Sequence, residues 1–255
     1  MKKLFKRFKI TCLLLVGLLL LQTGAEAQNL KVAIAANLQP VMKVLQKDFK
    51  QRTGITIDAI SGPSGNLAAQ VQNGAPFDIF LSADTKFPAN LYKSGYALKA
   101  PVVYAGGVLI ICSTKKLNLK NWPGLLTSTD VEKIAIGNPA IAPYGKAAEA
   151  ALKKAGIYDQ IKPKIVLGES ITQVNTYIST GAVQIGFTTL AFAREVKNKF
   201  LLTYALVDPN TYSPIQQGMV LLKHAEHNSN AEKFYQYILS APAKKIFKVY
   251  GYHVQ

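Results

Sequence analysis

Four short runs of small and polar residues stand where a β-rich stretch gives way to a helical pattern. The first is Ala36-Asn37, after Leu30–Ala35, with Asn37 placed as an N-cap and Pro40 admissible in the first helical turn. The second, Ser61-Gly62-Pro63-Ser64-Gly65-Asn66, follows Ile55–Ile60 as a turn that opens a helix. The third joins Gly137-Asn138-Pro139 to Ala142-Pro143-Tyr144-Gly145 after Lys133–Ile136. The fourth follows Lys164–Leu167 and runs from Gly168-Glu169 into Ser170-Ile171-Thr172-Gln173, a capping box. A helix start presents unpaired N–H groups and partial positive charge, which suits an anion. One such start is ordinary capping, but four at strand C-termini mark the edge where open α/β sheets bind ligands. A site built from donors alone favours a fully deprotonated oxyanion, because the proton of hydrogen phosphate would need an acceptor. Glu169 is the one carboxylate in these runs, and we read it as a solvent-facing or helix-start charge.

Other constellations are weaker. Gly62-Pro63-Ser64-Gly65-Asn66 approaches the nucleophile elbow G-x-S-x-G, but Asn66 stands where the second glycine belongs. Chain order alone permits a triad of Ser64, an aspartate and His224 or His253, so a secreted serine hydrolase is the rival class. His224 and His227 have a spacing that could bind a metal weakly, yet they lie in a polar loop. Asp78 and Asp84 bracket a strand and are read as turn or cap residues. Cys112 ends the apolar run Val108–Ile111 and is read as a buried thiol.

The elements that must position these runs alternate between strand and helix, which predicts α/β architecture with largely parallel sheets. Further strands are expected at Asp78–Ser82, Val108–Cys112, Gln184–Phe187, Leu201–Leu206 and Met219–Leu222. Leu38, Val41, Met42, Leu45 and Phe49 share one helical face. Leu67, Ala68 and Val71 form a second stripe, and Ala147, Ala148, Ala151, Leu152 and Ala155 a third. A helix over Asn230–Leu239 and a last one near Ala243–Tyr250 complete the pattern.

The first residues read differently. Met1–Lys9 is basic, Ile10–Leu21 is leucine-rich, and Ala25-Glu26-Ala27 is a small-x-small site. This is a secretory signal over residues 1–27, with Gln28 as the mature start. The apolar run is too short for a spanning helix of about 20 residues. Removing the segment takes Cys12 and leaves Cys112 as the sole cysteine, so no internal disulfide forms. The formal charge of +16 loses five cations and one anion, leaving +12. The export signal and the lack of basic-aromatic interleaving argue against a nucleic-acid partner. The scattered lysines are a solvated surface that attracts anions at long range.

Several segments resemble molybdate-binding periplasmic proteins: Val32–Met42, Pro63–Asp84, Ile134–Leu152, Gly168–Phe187 and Ile246–Tyr252. Asn73–Asp84 and Gly137–Gly145 are the more specific of these, and the similarity runs through nearly all of the mature chain. The resemblance implies a two-lobed, type II periplasmic binding protein rather than an enzyme. It implies lobe 1 over residues 28–106 plus 214–255 and lobe 2 over 107–213, with hinge closure on the ligand. Molybdate or tungstate would be held by Asn37, Ser64, Tyr144 and Ile171, with Ala36 and Thr189 as further candidates. No residue would ligate molybdenum directly, and no cofactor is implied. The expected partner is an ABC importer permease at the inner membrane, served by a monomer. Many family members have Ser at the position of Asn37 and a ligand-contacting Tyr at that of Thr189. Sulfate or another tetrahedral oxyanion is the alternative ligand.

Overall fold

The computed structural model describes residues 30–197 and 199–254. The signal segment 1–27 lies outside them. Among the described residues, ten strands form two mixed five-stranded sheets, each flanked by helices. The first sheet has the order β2-β1-β3-β10-β4 and the second β7-β6-β8-β5-β9. In the first, β1 (Leu30–Ala35), β2 (Ile57–Gly62) and β3 (Ile79–Leu81) are parallel. There β10 (Ile215–Leu221) runs antiparallel between β3 and β4 (Val102–Gly107). In the second, β6 (Ile134–Gly137) is parallel to β7 (Ile165–Gly168) and β8 (Ile185–Thr189). Here β5 (Leu109–Ser113) runs antiparallel between β8 and β9 (Thr203–Leu206).

The expectation of largely parallel sheets therefore needs correction, since each sheet has as many antiparallel pairings as parallel ones. The reason is connectivity. The strands that carry the chain from one sheet to the other return without a helical crossover, so they pair antiparallel. β4 is also absent from the sequence reading. The sequence places its strand at Val108–Cys112, behind Gly106-Gly107, whereas the chain forms a strand of the first sheet up to Gly107 and enters the second at Leu109. The second passage is Val207–Pro214.

Helices cover both sheets because their apolar faces match the sheet faces. In α1 (Gln39–Thr53), Val41, Met42, Leu45 and Phe49 are buried. Gly54 ends that helix at φ +76°, a left-handed position that glycine takes without penalty. Phe49 packs against Phe234 and Tyr237 of α9 (Ser229–Leu239), with ring centroids 5.1 Å apart in both pairs. α10 (Ala241–Val249) starts two residues earlier than expected, with Pro242 inside its first turn. In the second sheet, α5 (Pro143–Lys154) buries Ala147, Ala148, Ala151 and Leu152. α7 (Ile171–Ser179) buries Ile171, Val174 and Ile178. Apolar clusters fill both lobes, and the one that holds Cys112 also takes in Ala35, Ala36 and Ala83 from the first sheet's side; Cys112 is fully buried and its thiol is pushed up by that burial.

Candidate functional site

Asn37 is not an N-cap. It lies inside a single tight turn, Ala36–Leu38, and α1 begins behind it at Gln39 with no side-chain cap. Its carboxamide turns inward instead. Nδ2 donates to Gln217 Oε1 at 2.9 Å and to the Tyr252 hydroxyl at 3.2 Å. The tertiary contacts outcompete local capping because a buried amide must find partners.

Ser64 is the first residue of α2 (Ser64–Gln72), behind Pro63. Its Oγ accepts the Ala83 backbone N–H at 3.0 Å, which leaves the hydroxyl proton free to donate. Tyr144 is the second residue of α5, after Pro143, and Ile171 is the first of α7. The first N–H groups of a helix have no intrahelical partner. Ser170 Oγ accepts from Gln173 N–H, and Gln173 Oε1 accepts from Glu169 N–H. The box thus closes one residue earlier than the standard pattern and leaves the Ile171 N–H uncommitted.

The structure brings Ala36, Asn37, Ser64, Tyr144 and Ile171 together as walls of one small pocket between the lobes. Asn37, Ser64, Tyr144 and Ile171 are each no more than 4% exposed. Thr189 is not among them. It is buried at the start of α8 (Leu190–Val196), where its Oγ1 accepts from Phe192 N–H at 3.0 Å. Ala35, Pro63, Ala83, Ala142 and Pro143, which sequence reasoning did not name as site residues, complete the walls. They are small or rigid residues whose role is shape, so composition carried no signal for them.

Two close approaches shape the site. Gly145 sits so near β6 that an added Cβ would lie 2.0 Å from the Gly137 oxygen. Gly65 meets the opposite lobe directly, donating its N–H to Ile141 O at 3.1 Å. Across the same cleft Thr172 Oγ1 bonds Gln39 Oε1 at 2.9 Å, and Gln217 Nε2 reaches the Tyr144 hydroxyl at 3.3 Å. The lobes are in contact around the pocket.

Among the described residues, no lysine, arginine, histidine or carboxylate lines the pocket. Glu169 is exposed. Asp84 follows the lining residue Ala83, but its Oδ1 is taken by Ser82 Oγ at 3.0 Å and by Phe87 N–H at 3.2 Å. Burial pushes this carboxyl above its ordinary range, against those two hydrogen bonds and the nearby Lys86 and Lys146. Asp78 is not a cap: its Oδ2 accepts from Lys31 N–H at 2.8 Å and its Oδ1 lies 3.0 Å from His224 Nδ1. His224 is thus engaged elsewhere, and His253 pairs through its backbone with Gly106. Among the described residues, the Ser64 hydroxyl makes one hydrogen bond, from the Ala83 N–H, and pairs with neither His224 nor His253. Burial also pushes the Tyr104, Tyr144 and Tyr252 phenols above 10.0, so they remain neutral donors and acceptors. The residues present form a cradle of neutral donors, which fits a dianion stripped of protons.

Two α/β lobes that meet over a pocket of uncharged donors have the architecture of a binding protein. The chain belongs to the family of bacterial extracellular solute-binding proteins, which it matches over residues 30–253. It is 34% identical over 244 residues to the molybdate-binding protein ModA of Azotobacter vinelandii, covering 94% of this chain and 96% of that one. It is also 34% identical to the molybdate-binding protein ModA of Rhodobacter capsulatus, covering 89% of each. The solved periplasmic molybdate-binding protein of Azotobacter vinelandii superposes with a TM-score of 0.85, over 89% of this chain and all of that one.

Proposed function

We propose that this protein captures molybdate or tungstate outside the cytoplasmic membrane and delivers it to the permease of an ABC importer. One observation carries the reading. A pocket walled by Asn37, Ser64, Tyr144 and Ile171, with no charged side chain, lies in a chain 34% identical to molybdate-binding proteins. About six charge-assisted hydrogen bonds at ~1.5–3 kcal/mol each give roughly 9–18 kcal/mol gross, and after an association cost of ~4 kcal/mol the upper part of that range reaches submicromolar affinity without lysine or arginine. We assign lobe 1 to residues 28–106 plus 214–255 and lobe 2 to 107–213. Residues 1–27 act as the export signal, and the mature protein is a monomeric binder without catalytic activity or nucleic-acid partner. Closure of the lobes on the anion distinguishes loaded from empty protein for the permease.

Calorimetric titration of protein stripped of ligand tests this. Molybdate and tungstate bind at micromolar concentration or below. At a thousandfold excess over Kd they stabilise the fold by about 4 kcal/mol and raise Tm by several degrees. Sulfate requires far higher concentration, and phosphate does little near neutral pH. Sulfate binding as tightly as molybdate would reduce the protein to a general oxyanion binder.

A further inference from the structure

A second cavity, of about 570 Å³, lies where the two chain passages join the sheets. Both passages stand in its wall, the first through Gly106–Val108 and the second through Val207, Tyr212 and Pro214. It shares no wall residue with the oxyanion pocket. Sites for small organic molecules measure roughly 300–1,000 Å³, favour domain interfaces, and are mostly apolar with a few placed polar groups.

The lining has that composition. Val103 of β4 is 50% exposed and Leu206 of β9 61% exposed, although both are large aliphatic residues. Single exposed aliphatics are ordinary, but these two line one cavity from different sheets. Lys244 of α10 and His253 are the basic residues of the wall, and no acidic residue belongs to it. Among the described residues neither forms a salt bridge. Asp208, next to the wall residue Val207, is exposed, and its Oδ1 accepts the Asn210 N–H at 2.9 Å. His253 is strapped to the first passage by two backbone hydrogen bonds with Gly106, at 2.7 and 2.9 Å. An apolar wall with a lysine and an imidazole, and no carboxylate, suits an organic anion.

One residue ties this cavity to the oxyanion site. Gly107 stands in its wall, and a Cβ there would lie 2.1 Å from the hydroxyl of Tyr144, which walls the oxyanion pocket. Val103 and Leu206 belong to different sheets, so rotation of the lobes about the passages changes their separation and the shape of the cavity. An occupant that fits the cavity while the lobes touch binds that arrangement better than any other, and so favours it.

We propose that this cavity is a second ligand site, for a small organic carboxylate with an apolar body, whose occupant favours the arrangement in which the oxyanion is held. The apolar body lies between Val103 and Leu206, and the carboxylate meets Lys244 and His253. The coupling rests on the oxyanion reading above; binding in the cavity itself does not.

The test titrates 4-phenylbutyrate, octanoate and the neutral 4-phenylbutyramide into the protein, with and without molybdate, by calorimetry and methyl NMR. Both carboxylates bind with Kd of roughly 0.01–1 mM and move the methyl signals of Val103 and Leu206. The amide binds about tenfold more weakly, because it lacks the charge-assisted contact with Lys244. Lys244→Met weakens the carboxylates about tenfold and changes the amide by less than about twofold. Saturating molybdate tightens 4-phenylbutyrate about threefold or more, and 4-phenylbutyrate tightens molybdate by the same factor, as linkage requires. The site is overturned if neither carboxylate binds up to about 5 mM, if binding leaves Val103 and Leu206 still, or if the amide binds as tightly as the acid. Those three outcomes need no variant, so they decide even if Lys244→Met does not fold. Molybdate that displaces 4-phenylbutyrate puts the carboxylate in the oxyanion pocket and overturns the site as well. Carboxylate affinity indifferent to bound molybdate overturns the coupling. Protein that binds neither molybdate nor tungstate removes the oxyanion reading and the coupling with it, while the carboxylate titrations still decide the cavity.

Discussion

In lobe 1 the pocket wall is made by side chains, Asn37 and Ser64, whose polar atoms are held by partners from distant strands. In lobe 2 it is made at the starts of α5 and α7, where Tyr144 and Ile171 offer backbone N–H groups aligned by their helices. The difference decides what each half tolerates. A side-chain donor is lost with its residue, whereas a backbone donor survives any substitution that leaves the helix start in place. On the proposed reading, lobe 2 is therefore sensitive at the residues that seat its helices, and lobe 1 at the side chains that would donate to the anion.

Gly145→Ala is the severest way to break the lobe 2 half. The new Cβ would meet the Gly137 backbone oxygen at 2.0 Å, and backbone cannot give way cheaply. We expect about 3 kcal/mol of lost stability by denaturant titration, together with lost molybdate binding as the start of α5 shifts. Wild-type affinity in that variant would show that the seating of α5 is irrelevant.

Asn37→Asp probes lobe 1 by setting a like charge against a dianion. At an effective dielectric near 20, each unit pair at 4 Å costs about 4 kcal/mol, so affinity falls on the order of a thousandfold or more. Unchanged affinity by calorimetry would remove Asn37 from the site. Ser64→Ala is milder, deleting one charge-assisted bond for about 1.5–3 kcal/mol, roughly ten- to a hundredfold.

Ile171→Val closes the series from lobe 2. The N–H stays in place, so molybdate affinity changes by less than about threefold, while stability falls by about 0.5–1.5 kcal/mol. If Ile171→Val weakened binding as much as Ser64→Ala, the contrast between side-chain and backbone halves would collapse.

Much of this was legible before any coordinates. The helix stripes, eight of the ten strands within about two residues and the ninth, β10, from its C-terminal half, and the places where strands yield to helices follow from short-range patterns. Period and capping are properties of neighbouring residues. The sequence likewise placed Ser64, Tyr144 and Ile171 in runs that open helices, because a start is written in Pro63, Pro143 and Ser170, while the family resemblance singled those residues out.

What lay beyond it were pairings between residues far apart in the chain. Asn37 looked like a cap until Gln217, 180 residues away, claimed its amide. Asp78 looked like a turn residue until His224 and Lys31 took its carboxylate. β4 was hidden because Val102–Gly107 is short and ends in two glycines, and nothing local says that the chain changes sheets at Val108. Gln217 was invisible for the same reason. Ile215-Gln216-Gln217-Gly218 precedes the expected strand Met219–Leu222, and only the bulge against β4 turns Gln217 inward to meet both lobes. Local sequence determines which backbone groups are left unpaired; only tertiary packing decides which buried side chains satisfy one another, because a hydrogen bond depends on distance in space and not on separation along the chain.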